Sequence, residues 1–322
     1  MNPVPRLSVV IPAFNAADFL PQTLRSLCDQ MSGLEIIIVD DGSTDNTAAV
    51  VEPFLSERVR YLKGANTGGP AAPRNRGIQM ARAPLVGFFD ADDVALPNTL
   101  EASVDLMEAN PGVGMLCTNF HIGDEQLNVT KPRVIDEKAG LHQAEKKQLG
   151  EGAWRIPSSA ALSALLRNNF VGTPSVIIRR EVFDRVGGYD ESLRNLDDRD
   201  MWLRVARHYD LIYRDEPTFI YRSVPTSISK QGLERQALER IRVGQKLVSE
   251  GLSQGQRKLA TQWIGRNYLA VGYSRFELEA SSAARSAFLR SFLYAPSWQA
   301  FKGIVKSILP RAVYRSLRGL KP

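Results

Sequence analysis

The chain has 322 residues, 43% hydrophobic and 24% charged, proportions that exclude a disordered or fibrous protein and leave room for one large α/β domain plus an appendage. No run approaches the roughly 18 apolar residues of a spanning helix, and two cysteines without a Cys-x-x-Cys or Cys/His cluster give no zinc pattern. The net charge of +6 is uneven: residues 232–322 hold 16 Lys/Arg against 5 Asp/Glu, a balance of +11, which leaves 25 against 30, or −5, for residues 1–231.

The sequence begins Met-Asn-Pro-Val-Pro-Arg and runs directly into an apolar stretch, so no secretory leader is expected. Leu7 to Ile11 predicts a buried parallel strand stopped by Pro12. Ala13 to Ala17 reads as a loop into a helix over 18–30 that aligns Phe19, Leu20, Leu24 and Leu27 on one face. A second strand over Glu35 to Val39 ends in Asp40-Asp41-Gly42-Ser43-Thr44-Asp45, whose glycine and capping residues start another helix. Val59 to Leu62 is a third strand. The stretch from Gly64 to Gly77 then holds four glycines and two prolines. Pro73 fixes its own φ and biases Ala72 away from the helical region, so the next helix is expected to begin at Pro73 and run to Arg82.

Leu85 to Phe89 is the fourth strand, and Asp90, Asp92 and Asp93 emerge at its carboxyl edge. Open α/β sheets bind ligands at that edge. Three carboxylates within four residues repel one another unless a cation or a donor-rich ligand sits among them, and hard divalent cations prefer oxygen ligands. A metal that also holds phosphates is the simplest reading. A helix over Leu96 to Ala109 and a strand over Val113 to Thr118 complete an alternation that predicts a mostly parallel sheet flanked by helices.

From His121 to about Gly152 periodicity weakens, as in an excursion that forms a lid or part of an acceptor pocket. A helix over Ser158 to Arg167 and a strand over Ser175 to Arg179 follow. Asp197 and Asp198 then open a helix in which Met201, Val205 and His208 share a face. Trp202 is expected in the core, and Asp200 in a helix N-terminal acid cluster paired with Arg199 and Arg204. Leu211 to Tyr213 and Thr218 to Tyr221 read as short strands. Beyond Gln231 the pattern is helical: Leu233 to Ser249, Gln256 to Leu278, Ala283 to Tyr294 and shorter pieces from Trp298, interrupted at Pro296 and Pro310. Ser281 to Pro322 has eight basic and no acidic residues, interspersed with Ile304, Val305, Ile308, Leu309, Val313, Tyr314 and Leu317 in a basic amphipathic pattern.

Several stretches, taken in order, carry a family likeness: Leu7-Ser-Val-Val-Ile-Pro-Ala-Phe-Asn15, Val39-Asp-Asp-Gly-Ser-Thr-Asp45, Asn66-Thr-Gly-Gly-Pro-Ala-Ala-Pro-Arg-Asn-Arg-Gly77, Phe89-Asp-Ala-Asp-Asp93, and Val186-Gly-Gly-Tyr-Asp190 with Asp197-Asp198. Over roughly the first 225 residues the chain resembles the family 2 glycosyltransferases, whose catalytic domain has the GT-A nucleotide-diphospho-sugar transferase fold. The resemblance implies a nucleoside pocket at Pro12, Ala13, Asn15 and Asp41, with Asp41 accepting the imino hydrogen of uracil or thymine, hence a UDP- or dTDP-sugar. It implies a donor loop at Asn66, Gly68 and Arg74, where Arg74 meets a phosphate or braces an aspartate. Asp90 and Ala91 would hold the ribose, and Asp92 and Asp93 a Mn2+ or Mg2+ ion bridging the phosphates. Asp198 matches the general base of inverting members, with Asp197 in support where the family usually has Glu. Pro73 stands where Ala is commonest.

The resemblance implies a GT-A catalytic domain over residues 1–230, with a nucleotide-sugar half at about 1–118 and an acceptor half at about 119–230, then a basic helical region over 231–322. The expected activity is inverting transfer of a single sugar to a saccharide or lipid-linked acceptor in surface polysaccharide or glycoconjugate assembly. A catalytically inactive nucleotide-sugar binding module and a sugar-nucleotide nucleotidyltransferase are the alternatives, the latter lacking its Gly-rich, basic loop at Pro12 to Ala17. No Gly-x-Gly-x-x-Gly follows the first strand, which disfavours a dinucleotide dehydrogenase. No nucleic-acid signature is present. The expected location is cytoplasmic, where Cys28 and Cys117 would be buried thiols; for the basic helices, plain packing and peripheral contact with the anionic inner face of the plasma membrane both stay open.

Overall fold

The computed structural model describes residues 4–224, 232–278 and 281–308, and the chain divides into two compact units, Met1–Ser227 and Ile228–Pro322. The first unit runs β1 (Leu7–Ala13), α1 (Leu20–Cys28), β2 (Leu34–Asp40), α2 (Thr47–Val51), β3 (Val59–Lys63), α3 (Ala71–Met80), β4 (Leu85–Phe88), β5 (Val94–Ala95), α4 (Leu100–Ala109) and β6 (Val113–Gly123). It continues with β7 (Val129–Lys131), α5 (Ala139–His142), β8 (Lys147–Gly150), β9 (Ala153–Ile156), α6 (Ser158–Arg167), β10 (Ile177–Arg179), α7 (Val182–Val186), α8 (Asp197–His208) and β11 (Asp210–Arg222). All eleven strands form one sheet, ordered β3-β2-β1-β4-β10-β6-β11-β9-β8, with β5 and β7 attached to β11 and β6.

The parallel half, β3-β2-β1-β4, follows the apolar runs. Every residue of β2 is buried, as required of a strand covered by helices on both faces. One helix, α3, lies against β1 so closely that a Cβ on Gly77 would collide with the Val10 side chain. Glycine is what lets this helix approach, and its first turn carries Arg74 toward the sheet rim.

Three local expectations are corrected. The first strand continues through Pro12 to Ala13, because pairing to β4 ends at Val10 and the missing N–H of Pro12 falls where only β2 is a neighbour. The third helix starts at Ala71; Pro73 sits in its first turn, where an N–H has no helical partner to lose. The two short strands expected after Leu211 are one strand, β11, kinked by register shifts near Arg214 and Pro217. The sheet is also mixed: β10 runs antiparallel between β4 and β6, whereas β6 and β11 are parallel.

The excursion after His121 is largely regular, with β6 extended to Gly123 and the hairpin β8–β9 packed on the β11 edge. Trp154 of β9 stacks on Tyr213. Trp202 is fully buried, as expected of a core residue, and Asp200 is paired with Arg204 at 2.7 Å. Cys117 is buried, but Cys28 is only half-buried at the end of α1.

The second unit comprises α9 (Leu233–Ser249), α10 (Gln254–Glu277), α11 (Ser281–Tyr294) and α12 (Trp298–Ile308). A capping box between Ser253 and Gln256 starts α10. Ala237, Ile241, Ile264, Tyr268, Val271 and Ala287 form its core. Glycines set the helix spacing, for a Cβ on Gly244 would come within 2.6 Å of Ile264 and one on Gly272 within 2.5 Å of Phe288. The expected amphipathic positions Leu309, Val313, Tyr314 and Leu317 lie outside the described residues.

Candidate active site

The loops at the carboxyl ends of β1, β2 and β4 carry most of the residues singled out from the sequence. Asn15 has φ 48° and closes the first of them, its side-chain oxygen accepting the Thr44 amide at 2.8 Å while its own amide donates to Ser43 Oγ at 2.9 Å. A short polar side chain tolerates that backbone conformation. Ala13 accepts the Asp41 amide at 2.8 Å, joining the ends of β1 and β2, and Pro12 is half-buried beside them.

The adjacent aspartates divide their work. Asp40 accepts the Ser43 amide at 2.7 Å and the Tyr61 hydroxyl, and so holds the turn. Asp41 is buried with both carboxylate oxygens accepting the Thr67 amide at 3.0 Å, and Oδ1 also takes the Thr67 hydroxyl at 2.8 Å. The Asn66 to Gly69 loop therefore leans over Gly42, where a Cβ would come within 2.7 Å of the Asn66 nitrogen. Asn66 and Gly68 themselves are exposed, and Gly68 has φ +82°, which favours glycine.

Arg74 links the parts of the rim. It is buried, donating from Nη2 to Asp90 at 2.8 Å and from Nη1 to Asp197 at 2.6 Å, with its guanidinium 5.4 Å from the centre of the Tyr189 ring. Of the two expectations for Arg74, the geometry is that of a brace: one cation ties the end of β4 to the start of α8, and its contact to Asp197 spans 123 residues of sequence. Asp198, next on α8, is half-buried and accepts the Arg199 amide at 2.6 Å. Burial, the neighbouring Asp197 and then Asp90 push its carboxyl up to about 6, against the pull of Arg74. Burial also pushes the Asp197 carboxyl up, and Arg74 opposes that shift.

Asp90, Ala91, Asp92 and Asp93 form a tight turn after β4. Asp90, Ala91 and Asp92 are half-buried, whereas Asp93 is buried and directed inward, its Oδ1 accepting the Arg222 amide at 2.8 Å. Its Oδ2 accepts no hydrogen bond among the described residues. Burial and then Asp90 push Asp92 up to about 6; burial and then Asp92 push Asp93 well above the usual carboxylate range. This is a turn of carboxylates with too few cations.

Two residues absent from the sequence-based set hold that turn. Thr23 Oγ1 lies 2.9 Å from the Ala91 carbonyl and 2.8 Å from the Asp93 carbonyl. Arg222, buried at the end of β11, donates from Nε to the Asp92 carbonyl at 2.7 Å and from Nη2 to Gln22 at 2.7 Å, and to the Glu125 carbonyl, with Phe19 beneath its guanidinium. Sequence offers no signal for the Arg222 contact, which spans 130 residues. The Phe19–Gln22–Thr23 set is legible only as one face of an amphipathic helix.

Comparison with known proteins adds the following. The family model described as "Glycosyl transferase family 2" matches residues 8–187. "Glycosyltransferase GlyG" of Streptococcus pneumoniae is 27% identical over 235 residues, 70% of this chain and 73% of that protein. Alignments to two further curated relatives span 62% and 64% of their lengths. Among solved structures, Staphylococcus aureus TarS 1-349 in complex with UDP-GlcNAc matches with a TM-score of 0.67 at 17% identity, over 97% of this chain and 92% of that one. A mannosyltransferase, PcManGT from Pyrobaculum calidifontis in complex with GDP-Man and Mn2+, matches with a TM-score of 0.59 at 19% identity, over 100% of this chain and 82% of that one. At such identities the structural likeness establishes the GT-A fold.

Proposed function

The chain belongs to glycosyltransferase family 2, and we propose that it catalyses inverting, metal-dependent transfer of a single sugar from a UDP- or dTDP-sugar to a saccharide or lipid-linked acceptor. One observation carries the reading: Arg74 ties Asp90, beside the expected diphosphate, to Asp197, beside a carboxylate whose proton affinity lies near neutrality. A leaving-group site and a base are thereby held in one rigid frame.

In this reading Asp198 takes the proton of the acceptor hydroxyl as its oxygen bonds to the anomeric carbon. The bond from that carbon to the diphosphate breaks on the opposite face, and the nucleoside diphosphate leaves with the electron pair. A carboxyl at about 6 is ionised at neutral pH yet basic enough to accept that proton. Asp41 binds the base of the nucleotide. The Thr67 amide stands in for an imino N–H at the same carboxylate, so donor entry requires the 66–69 loop to release Asp41, and three consecutive polar or glycine positions, Thr67 to Gly69, suit such a loop.

The residues fit a divalent cation. Among the described residues no group of three or more His, Cys, Asp or Glu side chains forms a metal centre; the expected pair Asp92 and Asp93 offers an oxygen-only set that leaves positions for diphosphate oxygens, as a hard cation prefers, while Asp90, held by Arg74, is kept for the ribose. The metal, when bound, neutralises charge growing on the leaving diphosphate. We assign direct ligation to Asp92, which is half-exposed, and turn support to Asp93, whose Oδ1 is engaged inward. Mn2+ in the PcManGT complex and UDP-GlcNAc in the TarS complex support this choice of partners. The first unit is the catalytic domain in this scheme. Its setting is the cytoplasm, which the free thiols of Cys28 and Cys117 suit, and its product feeds surface polysaccharide or glycoconjugate assembly.

Thermal-shift titration of nucleotide-sugars with Mn2+, with Mg2+ and with EDTA tests donor, sugar and metal together. Stabilisation by a UDP- or dTDP-sugar that EDTA removes is the expected result. Stabilisation by every nucleotide irrespective of metal would overturn the metal assignment, and binding without transfer to any acceptor extract would identify a binding module instead.

A further inference from the structure

In α12 the small residues face inward and the large apolar residues outward. Ala300, Gly303 and Ser307 are buried, whereas Trp298, Phe301, Val305 and Ile308 are 65%, 44%, 41% and 59% exposed. The exposed set recurs at spacings of three, four and three residues, which places it on a single helix face. The cause lies in α11. A Cβ on Gly303 would come within 2.5 Å of the Phe288 ring, so the helices meet glycine against aromatic, and Arg285 fixes the register by donating to the Ser307 carbonyl at 3.0 Å. The end of α11 extends the same character with exposed Leu289, Phe292 and Leu293. A helix seated on a protein core turns its large apolar side chains inward.

Along the sequence the charge flanking this stripe has one sign, four of its basic residues lying within the described residues 281–308. Residues 281–322 contain eight Lys/Arg and no Asp/Glu. Lys302 lies 5.2 Å from the centre of the Trp298 ring, and Lys306 follows one turn later on the flank of the stripe. Aromatic and aliphatic side chains bordered by the exposed Lys302, a residue type whose stem lies along apolar surface while its charge reaches outward, match the requirements of a helix lying in a lipid headgroup layer. The cationic border selects a negatively charged leaflet. Pairing with a second copy would instead bring two cationic borders together. Among the described residues no helix is long and apolar enough to cross a membrane, so contact would be along the surface.

We propose that the exposed face of α12, continued by the end of α11, is a membrane-docking surface for anionic phospholipid. The inference deepens the reading of a lipid-linked acceptor by supplying the surface on which such an acceptor resides, but its test uses no nucleotide, so either can fail alone.

The experiment is co-sedimentation of the full chain with phosphatidylcholine–phosphatidylglycerol vesicles and with pure phosphatidylcholine vesicles. Binding to the mixed vesicles only, weakened by salt, is expected. Phe301→Ser with Val305→Ser should weaken it by about tenfold or more by removing apolar area, and Lys302→Glu with Lys306→Glu by about tenfold by reversing charge. Unchanged melting temperatures would show that both variants fold. Trp emission should shift to the blue with mixed vesicles, and the shift should be lost in Trp298→Phe. Vesicle binding that neither double variant alters, or binding equal on both vesicle types, would overturn the proposal. So would a dimer that Phe301→Ser with Val305→Ser converts to monomer without vesicle binding in the parent chain, since a second copy would then be the occupant.

Discussion

The two edges of the parallel sheet both bury carboxylates, with opposite outcomes. At the amino edge Glu35 is fully buried, yet Ser8 donates to it at 2.5 Å, the Arg82 amide at 3.0 Å and side chain at 2.5 Å, and Arg60 at 2.8 Å. Those donors outweigh its desolvation and hold the carboxyl below its ordinary range. At the carboxyl edge Asp92, Asp93 and Asp198 have fewer donors and more carboxylate neighbours, and are pushed up. The amino edge is satisfied within the protein. The carboxyl edge is left to be satisfied by what binds there, and this asymmetry distinguishes a stabilising cluster from a candidate site.

The comparison can be broken at several points. The largest effect is expected for Asp198→Asn, which should lower kcat by about a thousandfold, the scale of a lost general base, while leaving the donor-induced thermal shift intact; retained turnover in a single-turnover assay would remove Asp198 from its role. Next, Glu35→Ala should destabilise the fold by about 1–3 kcal/mol by leaving the buried Ser8 hydroxyl and the Arg82 amide without their acceptor, measured by urea unfolding, with turnover per folded molecule unchanged. If Glu35→Ala were neutral, the contrast between the edges would fail.

For Asp92→Asn, the Mn2+-dependent part of stabilisation by nucleoside diphosphate should disappear, a loss of about 2–3 kcal/mol at ligand concentrations near 100 times Kd. The pH response separates the edges by sign. The raised carboxyl of Asp198 holds its proton more tightly folded than unfolded, so its contribution to stability is full below about 4, fades as pH rises toward 6 and is lost above it. Glu35, with a depressed value, contributes above its unfolded range and loses that contribution as pH falls through the folded value. Asp198→Asn should thus raise the melting temperature of the ligand-free protein at pH 7 and leave it unchanged near pH 4, while Glu35→Gln should flatten the acid limb. In the parent, kcat/KM should fall below about pH 6 as the base protonates. The smallest effect is expected for Thr67→Ala, which frees one contact to Asp41 and should tighten nucleotide binding by a few-fold, given about 1 kcal/mol for a typical hydrogen bond; weaker binding would mean that Thr67 assists the donor directly.

Much of the architecture could be read from local pattern. Continuous β-branched runs placed β1 and β2, short apolar stretches placed β3 and β4, and the helical period placed α6 and α9 with both ends correct. The aspartate turn after β4 was legible because its chemistry is contiguous. The apolar stripe of α12 was legible only in part, since spacing marks an amphipathic helix but not which of its faces is covered.

The sequence by itself determined the alternation of strands and helices up to β6, the acidic rim loops and the positive charge of the second unit, because each depends on neighbours a few residues apart. The tertiary structure decided the rest: the antiparallel insertion of β10, the inward turn of Asp93, the grip of Arg222 on the Asp92 carbonyl and the Arg74 bridge from Asp90 to Asp197. Each of these depends on the path of the chain between distant positions, and a guanidinium commits to its partners only when packing has removed the water that would otherwise solvate it.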